Sequence, residues 1–212
     1  VANLVPTWSI VSNKKTSTFK DRSIENSWMG SMAMDETYYL YSKVKRLGSG
    51  IGQLKLWQHL YNLLSDCSGQ VETCIYVGCV PGYNIVDLAR MFQDIEFYVF
   101  DLVPMTLGLP RNVHFYQSEL TKDYQSIWKD KDVLFVSDIR TRTTGINDFI
   151  IQRDQTIQAN LVDLVKPKFW SVKMNARFAA NNYVYMGGKP VFTVYNKPGS
   201  YEYRLVKYKQ NG

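Results

Sequence analysis

The chain has 212 residues, 45% apolar and 21% charged, with 13 Gly and 7 Pro. That composition suits one globular domain with enough chain to bury a full core, and it excludes a disordered tail, a collagen-like fibre and a small disulfide scaffold. Lys and Arg exceed Asp and Glu by 25 to 19, a net charge of +6, which suits an anionic partner such as nucleic acid as well as it suits an ordinary basic enzyme.

Residues 1–50 are polar and irregular, with a basic pair Lys14–Lys15, a tyrosine pair Tyr38–Tyr39 and the cluster Lys43, Lys45 and Arg46. They read as an N-terminal extension to a single globular unit at 51–212. The glycine-rich turn Gly48-Ser-Gly-Ile-Gly52 precedes Leu54, Trp57, Tyr61 and Leu64, whose spacing predicts an amphipathic helix over 53–66. Thr73–Cys79 is a short apolar run, as expected of a strand buried on both faces. A helix over Ile85–Phe92, strands over Glu96–Leu102, Val113–Gln117 and Asp132–Ser137, and a helix over Phe149–Val165 (through Ile150, Ile157, Leu161 and Leu164) follow. Lys168–Met174 reads as a fifth strand, and the runs Pro190–Tyr195 and Tyr203–Tyr208 as two more. Alternating strands and helices imply a mostly parallel sheet covered on both faces. The last two runs are joined only by the turn around Asn196-Lys-Pro-Gly-Ser200, so one strand runs antiparallel. The expected fold is a seven-stranded α/β sandwich.

Several function classes drop out early. Cys67, Cys74 and Cys79 are odd in number and form no C-x-x-C pair, and His59 and His114 are the only histidines, so neither a disulfide framework nor a metal centre is expected. No apolar run approaches the ~20 residues that span a bilayer, and no signal peptide opens the sequence. The first residue is Val rather than Met, which suits an artificial start as well as a cut from a longer polypeptide.

The residues that carry chemistry fall at predicted strand ends. Gly78-Cys-Val-Pro-Gly82 follows the first strand, where α/β sheets bind ligands and where glycine lets backbone approach them. The spacing is neither a dinucleotide fingerprint nor a phosphate loop, so a tight strand-to-helix turn is an equal reading. Asp101 ends the second strand, 19 residues after Gly82, where an acid can accept hydrogen bonds from a ribose diol or simply cap a helix. Asp138 ends the fourth strand and Lys173 lies near the end of the fifth, where a lysine in an apolar strand is costly unless paired or used. Glu202 opens the last strand, and Lys55 follows the glycine turn. If the last strand is antiparallel, two lysines and two acids converge on one crevice; two separate ion pairs are the alternative.

Gly52-Gln-Leu-Lys55, Tyr76-Val-Gly-Cys-Val-Pro-Gly82, Ser137-Asp-Ile-Arg140, Val172-Lys-Met and Tyr201-Glu-Tyr-Arg-Leu stand in an order that resembles the viral cap-specific ribose 2′-O-methyltransferases. The poxvirus poly(A) polymerase regulatory subunit is the nearest pattern, with reovirus and nidovirus capping methyltransferases also similar. The resemblance covers roughly residues 50–208 and implies a Rossmann-like S-adenosylmethionine-dependent methyltransferase sandwich. It implies a catalytic tetrad of Lys55, Asp138, Lys173 and Glu202, with Lys173 as the base. It places the methionine end of S-adenosylmethionine at Gln53, Gly78, Pro81 and Gly82, its ribose at Asp101 and its adenine near Ser118 and Leu120, with Asp138 also facing the cofactor.

The same resemblance implies capped RNA as substrate and S-adenosylhomocysteine as product. Arg140 would then hold RNA, and Phe178 would stack on the methylated guanine against an aromatic such as Tyr38 or Tyr39. Ala180 and Asn181 stand where that family places acids at the edge of the base. Viral replication or capping subunits are the implied partners and the host cytoplasm the implied setting. Two alternatives stay open: a 2′-O-methyltransferase acting on uncapped RNA, like the bacterial-type ribosomal RNA enzymes with the same tetrad, and a non-catalytic RNA-binding subunit using tyrosines as stacking platforms.

Overall fold

The computed structural model describes residues 51–141, 148–175, 187–191 and 202–207. The extension at 1–50 with Tyr38 and Tyr39, and the stretch holding Phe178, Ala180 and Asn181, lie outside them. Seven strands are described: β1 (Thr73–Val77), β2 (Glu96–Phe100), β3 (Val113–Tyr116), β4 (Val133–Ser137), β5 (Phe169–Asn175), β6 (Lys189–Val191) and β7 (Glu202–Lys207). Helices α1 (Ile51–Cys67), α2 (Tyr83–Met91) and α3 (Asp148–Val165) accompany them, with a 3-10 turn at Lys122–Ile127 that the sequence periodicity does not signal.

The strand order is β3-β2-β1-β4-β5-β7-β6. Strands β1 to β5 pair in parallel, and β7 runs antiparallel to both β5 and β6. This is the strand order of the S-adenosylmethionine-dependent methyltransferase fold, with the single antiparallel strand where the sequence places it. The order reverses between β1 and β4, whose carboxyl ends therefore border the crevice in which such sheets bind ligands. Both strands are buried along their whole length, which explains their unbroken apolar runs.

Two cores cover the sheet. On one face α1 and α2 pack Leu60, Leu63, Leu64, Ile85 and Leu88 against Tyr76, Phe97 and Leu134. On the other, α3 and the 3-10 turn bring Val165, Ile127 and Trp128 against Ile75, Phe135 and Val172.

The helices bury faces turned partly away from the apolar spacing, although Leu64 and Ile150 are buried and Leu161 and Leu164 pack on the second core. In α1 the buried set is Leu56, Gln58, His59, Leu60, Leu63, Leu64 and Cys67, while Leu54 is exposed. Trp57 and Tyr61 stack on each other at 5.4 Å on the flank, where Tyr61 meets Phe92 edge-on, so they border the core rather than fill it. In α3, Ile157 is exposed and the buried set includes Asp154, Gln155 and Gln158.

Gly78 ends β1 in the left-handed region, with φ +80°. A Cβ there would stand 2.9 Å from Ile139 N and 3.0 Å from Asp138 C, both backbone atoms that cannot swing aside. The close approach of the β1 and β4 ends thus requires glycine. Gly78→Ala is expected to cost about 1–3 kcal/mol, measured by urea unfolding; unchanged stability would mean that the two strand ends are not held this close.

Candidate active site

Antiparallel pairing sets the site. In the β5–β7 register Lys173 faces Arg204 and Asn175 faces Glu202. Directly opposed residues share a face of the sheet, as do residues two apart, so Ser171, Lys173, Glu202 and Arg204 all project toward α1. Lys55 and His59, one turn apart on α1, reach down onto this face. Lys55 Nζ donates to Glu202 Oε1 at 2.6 Å, and His59 Nε2 lies 2.8 Å from Ser171 Oγ.

The four residues expected to converge do so as one network. Lys173 Nζ stands 3.4 Å from Glu202 Oε2 and 3.5 Å from Asp138 Oδ1. Arg204, which sequence reading passed over, completes the set: Nη1 donates to Asp138 Oδ1 at 2.8 Å, Nη2 to Ser137 O at 2.7 Å and Ser171 O at 3.1 Å, and Nε to Ser171 Oγ at 3.2 Å. The alternative of two separate ion pairs does not describe this arrangement. The signal for Arg204 is the one that singled out Lys173, a cation amid the apolar Tyr203, Leu205 and Val206.

Arg140 lies beside the network, with Nη1 3.8 Å from the fully buried Asp154 carboxylate and itself buried without a hydrogen-bond partner among the described residues. Asp154 also accepts from Thr141 N at 2.9 Å and Thr141 Oγ1 at 2.7 Å. Gln158 bonds both backbone groups of Lys173, at 2.8 and 3.1 Å. Neither Asp154 nor Gln158 is apparent from sequence, because the apolar period of α3 runs through Ile150, Ile157, Leu161 and Leu164 and leaves both among the polar positions.

The glycine turn abuts this network, since Asp138 N donates to Val77 O at 2.9 Å and Gly78 packs on the Asp138 backbone. Gly82 is also left-handed, at φ +83°, and starts α2 without a side-chain cap, with the Met105 side chain against it. Asp101 grips the turn: Oδ2 accepts from Val80 N and Oδ1 from Val103 N, each at 2.9 Å. Asn84 Oδ1 and Ser137 Oγ, at the start of α2 and the end of β4, are buried without a hydrogen-bond partner. A ligand bearing a carboxylate, an ammonium and a diol fits these groups. Cys79 supplies no nucleophile there, as burial and then the Asp101 charge push its thiol up to about 12. Pro81 lies within the turn, Ser118 Oγ is 3.0 Å from Tyr124 OH, and Leu120 is buried in the second core. Gln53 falls in the first turn of α1, its side chain outside the described residues.

Among the described residues no cluster of His, Cys, Asp or Glu is arranged to hold a metal, and no helix is long and apolar enough to cross a membrane.

Two groups tie the site to pH. Burial opposes the Glu202 carboxylate, but Lys173 and Lys55 outweigh it and bring its pKa down to about 2. Burial, reinforced by the Arg204 charge, lowers His59 to about 3. Both bind a proton more weakly in the fold than in the unfolded chain. Their contribution to stability is therefore complete above the ordinary values, 6.5 for His59 and 4.5 for Glu202, and is lost as pH falls from those values toward 3 and 2. His59→Gln is expected to remove most of the fall in melting temperature between pH 6.5 and 4.5, as followed by circular dichroism, while leaving the steeper loss below it. An unaltered profile would place the acid sensitivity elsewhere.

The chain is similar to several known proteins. The family model described as Poly A polymerase regulatory subunit matches residues 29–212. No curated protein sequence matches. Among solved structures, a ribosomal RNA methyltransferase from Plasmodium falciparum is 19% identical, with 75% of this chain and 95% of that one covered at a TM-score of 0.47. The methyltransferase domain of a bacterial Hen1 is 13% identical over 74% of this chain and 98% of that one, also at 0.47. An antibiotic-related methyltransferase is 17% identical over 69% and 92%, at 0.44. The family match spans most of the chain, including every strand and every network residue described above, and the chain accordingly belongs to the poxvirus-type poly(A) polymerase regulatory subunit family.

Proposed function

We propose that the protein transfers a methyl group to a ribose 2′-hydroxyl of capped RNA. The observation that carries this reading is the continuous Lys55–Glu202–Lys173–Asp138 network at the carboxyl edge of a methyltransferase sheet, directly beside the Gly78–Gly82 turn. S-adenosylmethionine would be held by the Gly78–Gly82 backbone, Gln53 and Asp101, with Ser118 and Leu120 toward its adenine, and when bound supplies an electrophilic sulfonium methyl.

A ribose hydroxyl is a weak nucleophile, so the protein's task is to orient it and receive its proton. Lys173 is the group assigned to that task. Lys55 at 2.6 Å and Arg204 at 2.8 Å each already hold one carboxylate oxygen, whereas Lys173 is held at 3.4 and 3.5 Å. Among the described residues three cations meet these two carboxylates, and Lys173 is the one at the longest distances, whose amine can turn to substrate. Asp138 and Glu202 aim it. Arg140, with a buried N–H that lacks a partner, suits a phosphate oxygen of the RNA. Cap recognition is assigned to Phe178 with Tyr38 or Tyr39.

The family match favours a second role, association with the catalytic subunit of a poly(A) polymerase; other viral capping subunits and a host-cytoplasmic setting complete the proposal. Co-elution of the two purified chains at physiological salt is the expected result; separate elution at micromolar concentration would remove that role.

For the first reading, Lys173→Ala is expected to lower single-turnover methylation by ~100- to 10,000-fold, with S-adenosylmethionine affinity retained. Lys173→Arg should not restore the rate, because a guanidinium stays protonated. Near-normal turnover in the arginine variant would overturn the base assignment and leave the lysine an electrostatic role alone.

A further inference from the structure

Helix α3 turns a polar face into the protein where an apolar one is the rule. Asp154, Gln155 and Gln158 are 0%, 2% and 0% exposed, on one stripe of the helix. Buried polar groups are costly unless bonded. These three bond to the two lips of the crevice, with Gln155 Nε2 alone among their side-chain polar atoms left without a partner among the described residues.

On the β5 side, β4 stops at Ser137, the partner of Val172, while β5 runs on to Asn175. Past that point the backbone of β5 has lost its β4 neighbour. Gln158 substitutes for the missing strand: its amide donates to Lys173 O at 2.8 Å and accepts from Lys173 N at 3.1 Å, and Gln155 Oε1 accepts from Asn175 N at 2.7 Å. On the β4 side, Asp154 accepts from Thr141 N and Thr141 Oγ1 and lies against Arg140, holding the segment that begins at Asp138. The two grips stand four residues apart on one helix, a rise of ~6 Å that the helical backbone keeps constant.

We propose that Asp154 and Gln158 are positioning residues that set the spacing between Asp138 and Lys173, α3 acting as the rigid spacer between the end of β4 and the extension of β5. The inference rests on the methyl-transfer reading. It assigns to the polar face of α3 a part in the rate rather than in stability alone, since misplacing a reacting group by ~1 Å costs up to ~100-fold.

Gln158→Met keeps the side chain's length and removes both bonds to Lys173. The full-length variant is compared with the wild type for single-turnover methylation of capped RNA at saturating S-adenosylmethionine, for affinity toward each substrate, and for hydrogen exchange of the Lys173 amide. The expected result is a ~10- to 100-fold slower turnover, substrate affinities within about twofold, Lys173 amide exchange faster by ~10-fold or more, and no further loss when the change is added to Lys173→Ala. Full turnover despite faster exchange would overturn the proposal by making the grip structural only, and unchanged exchange would overturn the grip. Should Gln158→Met fail to fold, Gln158→Glu retains the acceptor for Lys173 N and loses the donor to Lys173 O; slower turnover supports the proposal and full turnover overturns it. If the wild type transfers no methyl group, the methyl-transfer reading falls, and the exchange rate of the Lys173 amide decides the grip by itself.

Discussion

Arg204 lies 3% exposed in β7, and its guanidinium bonds go to Asp138 Oδ1, Ser137 O, Ser171 O and Ser171 Oγ. A cation so far from water persists only where acceptors surround it. Here the acceptors come from β4 and β5, so satisfying one side chain ties three strands together and fixes the Asp138 carboxylate. The antiparallel sense of β7 then decides what stands nearby. Glu202, two residues earlier on the same face, arrives beside Lys173, and Lys55 closes the network from α1. Reversing β7 would carry Glu202 to the opposite edge of the sheet, so the site depends on strand direction as much as on residue type.

The network is economical in its use of helices. α1 supplies both an ion-pair partner and, one turn on, a neutral imidazole that meets Ser171 beneath Arg204. α3 gives up apolar burial on part of its inner face to bond the backbone around the ends of β4 and β5. The bulk of the packing is left to the two cores, where the central strands are buried from end to end. The charged network is thus concentrated at the edge of the sheet beside the topological switch point, where such sheets bind ligands.

Much of the fold was legible because its strands are short apolar runs separated by turn residues. The predicted strands from Thr73 to Met174 and the three helices fall within two residues of their observed ends. β1 ends earlier than its apolar run suggests because Gly78 takes a left-handed conformation against the Asp138 backbone. The convergence of Asp138, Lys173 and Glu202 was readable from their places at strand ends once one strand ran antiparallel, and that of Lys55 from its place on the helix after the glycine turn. What was not readable is the polar support. Asp154, Gln155 and Gln158 look like a solvated face because Ile157, Leu161 and Leu164 supply the stronger periodicity; only the mismatch in length between β4 and β5 explains why backbone there needs side-chain partners. His59 likewise reads as an isolated residue until Ser171 and Arg204 are seen beneath it.

Transfer of a methyl group to a ribose oxygen at this edge of the sheet is tested most directly by incubating the full-length protein with methyl-labelled S-adenosylmethionine and an RNA bearing a methylated guanosine cap, followed by digestion to nucleosides. Label on the ribose 2′-oxygen of the first transcribed nucleotide is the predicted result; label on a base, or no transfer from cofactor that is demonstrably bound, would contradict it.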